Sequence, residues 1–193
     1  MKQFLIILLF IISAFAGCDA PAPKNAELPS ESIFHLSSDW QNQDGKHLKL
    51  KELQGKTLVV VMFYTSCKVA CPILVASMKK IGTEIKPKYL KNVSLVLVSI
   101  DPETDTPQRL KEFAITNGMS EPQWIFLHGN EAATQEFANV LSMKYKEISP
   151  IDFSHSNIIS VFSPDGKLQN QEEGLNIDTK KVAKLVNETV GSN

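Results

Sequence analysis

The sequence predicts an α/β layered domain in which helices cover a central sheet. Two runs rich in β-branched and apolar residues, at 57–64 and 93–100, are typical of strands buried on both faces. Residues 72–86 separate them and carry apolar side chains at helical spacing. Strand-like and helix-like segments continue to alternate after residue 100, and this order is typical of α/β domains.

A β-hairpin is predicted before the first central strand. Strand-like runs at 32–40 and 46–50 flank the dipeptide Asp44-Gly45, which is a frequent hairpin turn. Residues 50–53 then indicate one helical turn that leads into the strand at 57–64. The chain therefore enters its core sheet from an N-terminal hairpin.

Three helices and a second hairpin are expected after the strand at 93–100. Each helix has a capping side chain at its start, which can accept a hydrogen bond from an N–H group of the first turn. The predicted capping residues are Thr106 (followed by Pro107), Asn130 and Asp178. Residues 158–162 and 167–171 flank a Pro-Asp-Gly turn and predict a late β-hairpin.

Two cysteines lie where the first core strand meets its helix. Cys67 and Cys71 are four residues apart, so their sulfur atoms fall on the same side of a first helical turn. The pair can oxidise to a disulfide, or both thiolates can bind one soft metal ion. This position of a cysteine pair is the thioredoxin-like arrangement, although thioredoxin-type enzymes have two intervening residues and this chain has three. The spacing leaves both chemistries open.

His155 is the candidate third ligand. It lies just before a predicted core strand, in a segment that could bring it over Cys67 and Cys71. Two thiolates and an imidazole suit copper, since thiolates favour Cu(I) and imidazole also accepts Cu(II). The alternative is a loop histidine bonded to the backbone. The remaining histidines are expected to have surface or structural roles, and they are His35, His47 and His128.

The N-terminal segment is predicted to direct export. Residues 1–17 combine a basic start, an apolar stretch and small residues, which is typical of a signal peptide. Their end resembles a bacterial lipobox, which would make Cys18 the lipid-bearing residue; ordinary cleavage with Cys18 as a free thiol is the alternative. Residues 18–31 would form a tether and residues 32–191 the folded domain. Outside the cytosol, a cysteine pair can persist as a disulfide.

Composition excludes some classes of function. The chain has 193 residues and a net charge of −1, so it has no basic footprint for nucleic acid. Its lysines are spread along the chain, and no polybasic membrane patch is predicted. A thiol peroxidase on the same fold is disfavoured because the chain has no peroxidatic cysteine motif of that family.

Three segments, in a fixed order, carry a family resemblance. They are FYTSCKVACP at 63–72, VSIDPETDTP at 98–107, and His155 followed by SPDG at 163–166. Together they resemble the Sco/SenC family of copper-binding proteins, which assist assembly of cytochrome c oxidase. The chain departs from the family at Lys68, where the family has proline, and a basic neighbour can favour a thiolate.

The resemblance implies a thioredoxin-like domain anchored outside the cytoplasmic membrane, with Cys67, Cys71 and His155 as copper ligands. It implies a metallochaperone that delivers copper to the dinuclear copper centre of the oxidase, with an oxidised cysteine pair unable to hold the metal. A thiol–disulfide oxidoreductase that reduces a copper-receiving partner is the alternative. Asp101 and Asp105 match acidic positions of the family motif. They could tune the site or contact a partner, or they could serve strand-end and helix-cap chemistry. We expect the second role for Asp105, and the role of Asp101 stays open.

Overall fold

The computed structural model describes residues 27–149 and 152–192. Within these ranges the chain forms a seven-stranded mixed sheet and a separate two-stranded sheet. The strands are β1 (Asp39–Asn42), β2 (His47–Lys49), β3 (Thr57–Phe63), β4 (Val93–Ser99), β5 (Trp124–His128), β6 (Tyr145–Ser149), β7 (Asp152–His155), β8 (Ile158–Phe162) and β9 (Leu168–Glu173). The helices are α1 (Ala70–Glu84), α2 (Pro107–Thr116), α3 (Glu131–Val140) and α4 (Thr179–Gly191).

The larger sheet has the strand order β2-β1-β5-β4-β3-β8-β9. β3 and β5 both run parallel to their neighbour β4, whereas β8 pairs antiparallel with β3. Every residue of β3, β4 and β8 is buried, as expected for strands that are covered on both faces. The prediction of two core strands at 57–64 and 93–100 is thereby confirmed.

Helices close the core around this sheet. α1 packs against α4, and the Lys79 ammonium of α1 donates a hydrogen bond to the Asn117 carbonyl at the end of α2. Phe137 of α3 packs edge-on against Trp40 of β1, with ring centroids 5.7 Å apart. The predicted caps are confirmed, since a first-turn N–H donates to the side chains of Thr106, Asn130 and Asp178.

The N-terminal hairpin is present, but its first strand is shorter than predicted. Ile33–His35 form a 3-10 turn instead of a strand. Ser32 explains this turn, because its hydroxyl accepts the N–H of Phe34 and donates to the carbonyl of Asp165 over 2.6 Å. β1 therefore begins only at Asp39, from where it pairs antiparallel with β2.

Three strands of the described chain are not predicted by the sequence pattern. β5 lies inside the large sheet, between β1 and β4, and is too short to show a clear period. β6 and β7 form the separate two-stranded sheet, and their mixed polar composition conceals the alternation. The late hairpin of β8 and β9 follows them and is confirmed.

α1 begins at Ala70, two residues before the predicted start at Pro72. Pro72 is tolerated there because the first N–H groups of a helix have no intrahelical acceptor, so the missing donor costs nothing. The earlier start places Cys71 inside the first helical turn and leaves Cys67 in the loop that precedes it.

The predicted signal segment (1–17) and Cys18 lie outside the described residues, as does most of the predicted tether (18–31). In the part of the chain that the structure describes, none of the helices combines the length and apolar character needed to cross a membrane.

Candidate metal centre

The cysteine pair lies at the carboxyl end of β3, in the turn that leads into α1. Both cysteines are free thiols; Cys67 is partly exposed, whereas Cys71 is only 2% exposed. The backbone N–H of Cys71 donates to Sγ of Cys67 over 3.3 Å. The Cys67 sulfur therefore lies at the N-terminus of α1, where the partial positive charge of the helix favours a thiolate.

The two thiols differ in acidity. Burial opposes ionisation of Cys67, but hydrogen bonds led by the Cys71 backbone N–H outweigh it and hold the pKa of Cys67 below that of an ordinary thiol. Deeper burial raises the pKa of Cys71 far above the usual range, and the nearby charges of Cys67 and Asp105 raise it further. Cys67 is therefore the more acidic and more accessible thiol of the pair, and Cys71 is the less acidic one.

His155 reaches the pair from the end of β7. Its Nε2 lies 3.7 Å from Sγ of Cys71, and its Nδ1 lies 3.0 Å from the carbonyl oxygen of Ser156. A carbonyl only accepts hydrogen bonds, so Nδ1 donates to it, and in the neutral ring Nε2 then offers its lone pair towards the cysteines. The structure thus brings together the three residues that the sequence selected.

The donor atoms of this trio fit one metal ion. The ligand atoms of Cys67, Cys71 and His155 all lie within 4.8 Å of one another. Bonds from zinc to thiolate and imidazole are about 2.0–2.3 Å long, so two opposite bonds span up to ~4.6 Å, close to this separation. Two thiolates and one imidazole are ligands that copper accepts.

The other three histidines lie apart from this trio and have local partners. The partners are the Pro29 carbonyl for His35, the Gln41 side chain for His47 and the Asp105 carbonyl for His128. Among the described residues, no second group of three His, Cys, Asp or Glu side chains converges in this way. The expected surface or structural roles agree with these contacts.

Tyr64 contacts both halves of the centre. We call these the cysteine half (residues 65–71) and the histidine half (β6 and β7). The carbonyl of Tyr64 accepts the N–H of Cys67 over 3.4 Å, and its hydroxyl accepts the N–H of Phe153 over 3.2 Å. Its ring is edge-on to those of Phe153 and His155. From the sequence, Tyr64 cannot be distinguished from an ordinary core aromatic at the end of a strand.

A buried carboxylate holds the cysteine half. Asp105 Oδ2 accepts the N–H of Thr65 over 3.0 Å and the hydroxyl of Ser99 over 2.7 Å, and Oδ1 bonds the Thr65 hydroxyl. Burial raises the pKa of Asp105 despite these bonds. Asp105 does not cap the helix, because Thr106 supplies that cap, but its bonds to Thr65 and Ser99 agree with the expected strand-end role. Asp105 instead clamps the loop that carries the cysteines.

Asp101 makes only local contacts. Its Oδ1 accepts the N–H of Thr104 over 3.1 Å, and its own N–H donates to Ser99 Oγ over 3.0 Å. Its Oδ2 is buried and has no hydrogen-bond partner among the described residues. The contacts of Asp101 are those of a turn at the end of β4.

Comparison with known proteins agrees with this arrangement. The SCO1/SenC family model matches residues 30–191. The SCO1 protein homolog of Bacillus subtilis is 30% identical over 173 residues, which cover 88% of this chain and 85% of that protein.

Solved structures share the thioredoxin-like fold of this chain, which confirms the predicted fold class. A SCO1/SenC family lipoprotein from Bacillus anthracis is 25% identical with a TM-score of 0.72, and the match covers 78% of this chain and 91% of that one. BsSco, described as having a disulfide switch and as a member of the Sco family of cytochrome c oxidase assembly proteins, is 28% identical with a TM-score of 0.70, covering 80% and 92%.

A structure of Bradyrhizobium japonicum ScoI with copper bound is 22% identical with a TM-score of 0.68, and the match covers 79% of this chain and 96% of that one. At this identity the similarity shows the fold. The family model, by contrast, spans the whole described domain, from the hairpin to α4. The chain therefore belongs to the SCO1/SenC family.

Proposed function

We propose that this protein is a copper metallochaperone that aids assembly of the dinuclear copper centre of cytochrome c oxidase. The observation that carries this proposal is the convergence of His155 on the cysteine pair, with Nε2 facing Cys71 and Nδ1 bonded to a carbonyl. A thiol-exchange site has no need of such a ligand, whereas copper accepts it together with two thiolates. The copper-bound ScoI structure and the description of BsSco support the proposal.

Copper is the cargo of this centre. The Cys67 thiolate is the first ligand to meet an incoming ion, because it is partly exposed and its pKa is lowered. Binding then displaces the proton of Cys71, and His155 Nε2 completes the ligand set. Cys67 is also where a ligand of the acceptor can enter and exchange for the metal. Oxidation of the pair by a partner disulfide would form a Cys67–Cys71 bond and remove two of the three ligands.

Copper titration of the reduced protein tests this proposal. We expect one ion per chain, no stoichiometric binding after Cys67→Ala, and at least roughly tenfold weaker binding after His155→Ala. Removing a residue that only hydrogen-bonds to a metal ligand already weakens binding by roughly 10- to 100-fold. Since His155 is itself a proposed ligand, we use the lower end of this range as the minimum expected loss. His47→Ala is the matched control, because His47 bonds Gln41 away from the centre. If His155→Ala binds copper as tightly as the parent, the three-ligand centre is wrong.

The different acidities of the two thiols favour a second candidate, a thiol–disulfide oxidoreductase that reduces a copper-receiving partner. One accessible thiolate and one buried thiol suit attack on a disulfide followed by resolution. The reduction potential of the pair and the exchange rates with a disulfide peptide test this activity. Metal-free turnover that persists in His155→Ala would favour the oxidoreductase, and no exchange would exclude it.

We also propose that Cys18 carries a lipid that anchors residues 32–191 outside the cytoplasm through a tether at 18–31. The lipobox-like sequence supports this anchor, and the Bacillus anthracis relative is described as a lipoprotein. Cell fractionation of Cys18→Ser tests it. We expect the variant to leave the membrane fraction, and an unchanged distribution would contradict the anchor.

A further inference from the structure

We propose that Tyr64 is a positioning residue whose hydroxyl holds the histidine half of the centre over the cysteine half. The copper measurement below rests on the proposed function, whereas the amide-exchange measurement does not. The inference starts from the way the two halves are connected. β6 and β7 form a sheet of their own and share no strand pairing with the seven-stranded sheet in the described residues. The short link from β7 to β8 and contacts other than strand pairing must therefore place them.

The Tyr64 hydroxyl makes such a contact with the backbone of β7. It accepts the N–H of Phe153 over 3.2 Å, and it lies 3.5 Å from the Phe153 carbonyl oxygen as a long donor. Contacts to the backbone position the strand itself and not merely one side chain. Phe153 lies two residues before His155, and alternate residues of a strand project from the same face. A link at Phe153 therefore determines where the imidazole lies.

Ring packing supports the same assignment. The Tyr64 ring packs edge-on against Phe153 at 5.1 Å and against His155 at 5.9 Å between centroids. Tyr145 of β6 also packs against Phe153, with ring centroids 6.5 Å apart. One core residue thus meets β7 through its hydroxyl and through its ring, and both contacts lie next to the metal ligand.

Tyr64 is itself held in the buried core. It is only 1% exposed, it directly follows the buried strand β3, and its carbonyl accepts the N–H of Cys67. Both halves of the centre therefore bond to the same residue. A tyrosine that served only as core packing would give the same ring contacts, but its hydroxyl would be dispensable. The hydroxyl is the group to test.

Hydrogen exchange in the metal-free, reduced protein tests the link directly. Tyr64→Phe retains the ring and removes the hydroxyl, and we expect exchange of the Phe153 amide to become about 2- to 12-fold faster, the factor for one net hydrogen bond. Tyr89→Phe is the matched control, because Tyr89 packs near Lys88 and Gly191, away from the centre. Unchanged exchange at Phe153 in Tyr64→Phe would overturn the proposal.

Copper affinity then tests whether the link acts through His155. We expect Tyr64→Phe to weaken binding by a similar 2- to 12-fold factor in the parent. The same substitution should have a smaller effect in His155→Ala, since the ligand it positions is gone and only its hydrogen bond to Cys67 remains. Equal losses in both backgrounds would overturn the positioning role. If the parent itself binds no copper, the proposed function fails. The exchange rate of the Phe153 amide would still show whether the Tyr64 hydroxyl holds β7.

Discussion

The cysteine half and the histidine half of the centre are held by different means. The cysteine half joins a fully buried strand to α1 and is clamped by the buried Asp105 carboxylate. The histidine half is a two-stranded sheet whose outer residues include Ile148, which is 65% exposed. One half is therefore part of the core, and the other rests on it through Tyr64 and Phe153.

Under the proposed function, this difference would separate two tasks of metal transfer. The thiolates bear most of the soft-metal affinity, and a rigid support keeps them close together at little further entropic cost on binding. Release by ligand exchange requires one ligand to leave first. The imidazole is on the half with fewer core contacts, so its departure does not disturb the packed sheet. The three predictions below test this contrast.

The largest expected effect is in native-state hydrogen exchange. Amides of β3 are paired on both sides by β4 and β8, and we expect them to exchange only through global unfolding. Paired amides of β6 and β7 should exchange through local opening, on the order of 10³-fold faster or more. β8 is the internal control, because it is buried and belongs to the large sheet. Equal rates in β3 and β7 would show that the two halves open together.

The second effect is the reactivity of the two thiols. We expect iodoacetamide to alkylate Cys67 faster than Cys71 at pH 7, by roughly tenfold for each unit that separates their pKa values. The lowered pKa of Cys67 also predicts a pH profile whose midpoint lies below that of an unperturbed thiol. Peptide mass spectrometry of Cys67→Ser and Cys71→Ser follows the remaining thiol of the pair separately from Cys18. Equal rates for the two would contradict the asymmetry.

The third prediction concerns the clamp on the cysteine half. Asp105→Asn replaces an acceptor oxygen by a donor and leaves a hydrogen bond to Thr65 or Ser99 unmade, so we expect the free energy of unfolding to fall by about 1–3 kcal/mol. Denaturant unfolding measures this loss. Asp39→Asn is the matched control, because its exposed ion pair with Lys49 contributes about 0–1 kcal/mol. Equal effects of the two substitutions would contradict the clamp.

The pH dependence of this clamp has a definite sign. The pKa of Asp105 is higher in the folded protein than in the unfolded chain, because burial disfavours its charged form. Its contribution to stability is therefore complete below the unfolded pKa of ~3.9 and declines as the pH rises through the folded pKa. The deficit of Asp105→Asn relative to the parent should be larger in acid than at neutral pH. A loss of stability in Asp105→Asn that grows as the pH rises would instead indicate that folding lowers the pKa of Asp105.

The parts of the fold that could be predicted from the sequence are those with local causes. The buried strands β3 and β4 are continuous apolar runs, and the caps at Thr106, Asn130 and Asp178 bond N–H groups three residues away. The cysteine pair is local too, since four residues place both sulfurs at one helix start. Such features are visible in a sequence because the interacting groups are neighbours in it.

Only the tertiary structure showed which distant groups complete the centre. Tyr64 meets Phe153 across 89 residues, and Asp105 meets Thr65 across 40. The weakly patterned strands β6 and β7 pair with each other beside this support, and the His155 ring lies edge-on to Tyr64. The sequence by itself determined the donor types and the two core strands between which the cysteines lie. Folding decided their geometry, because contacts between remote segments depend on how the whole sheet brings their backbones together.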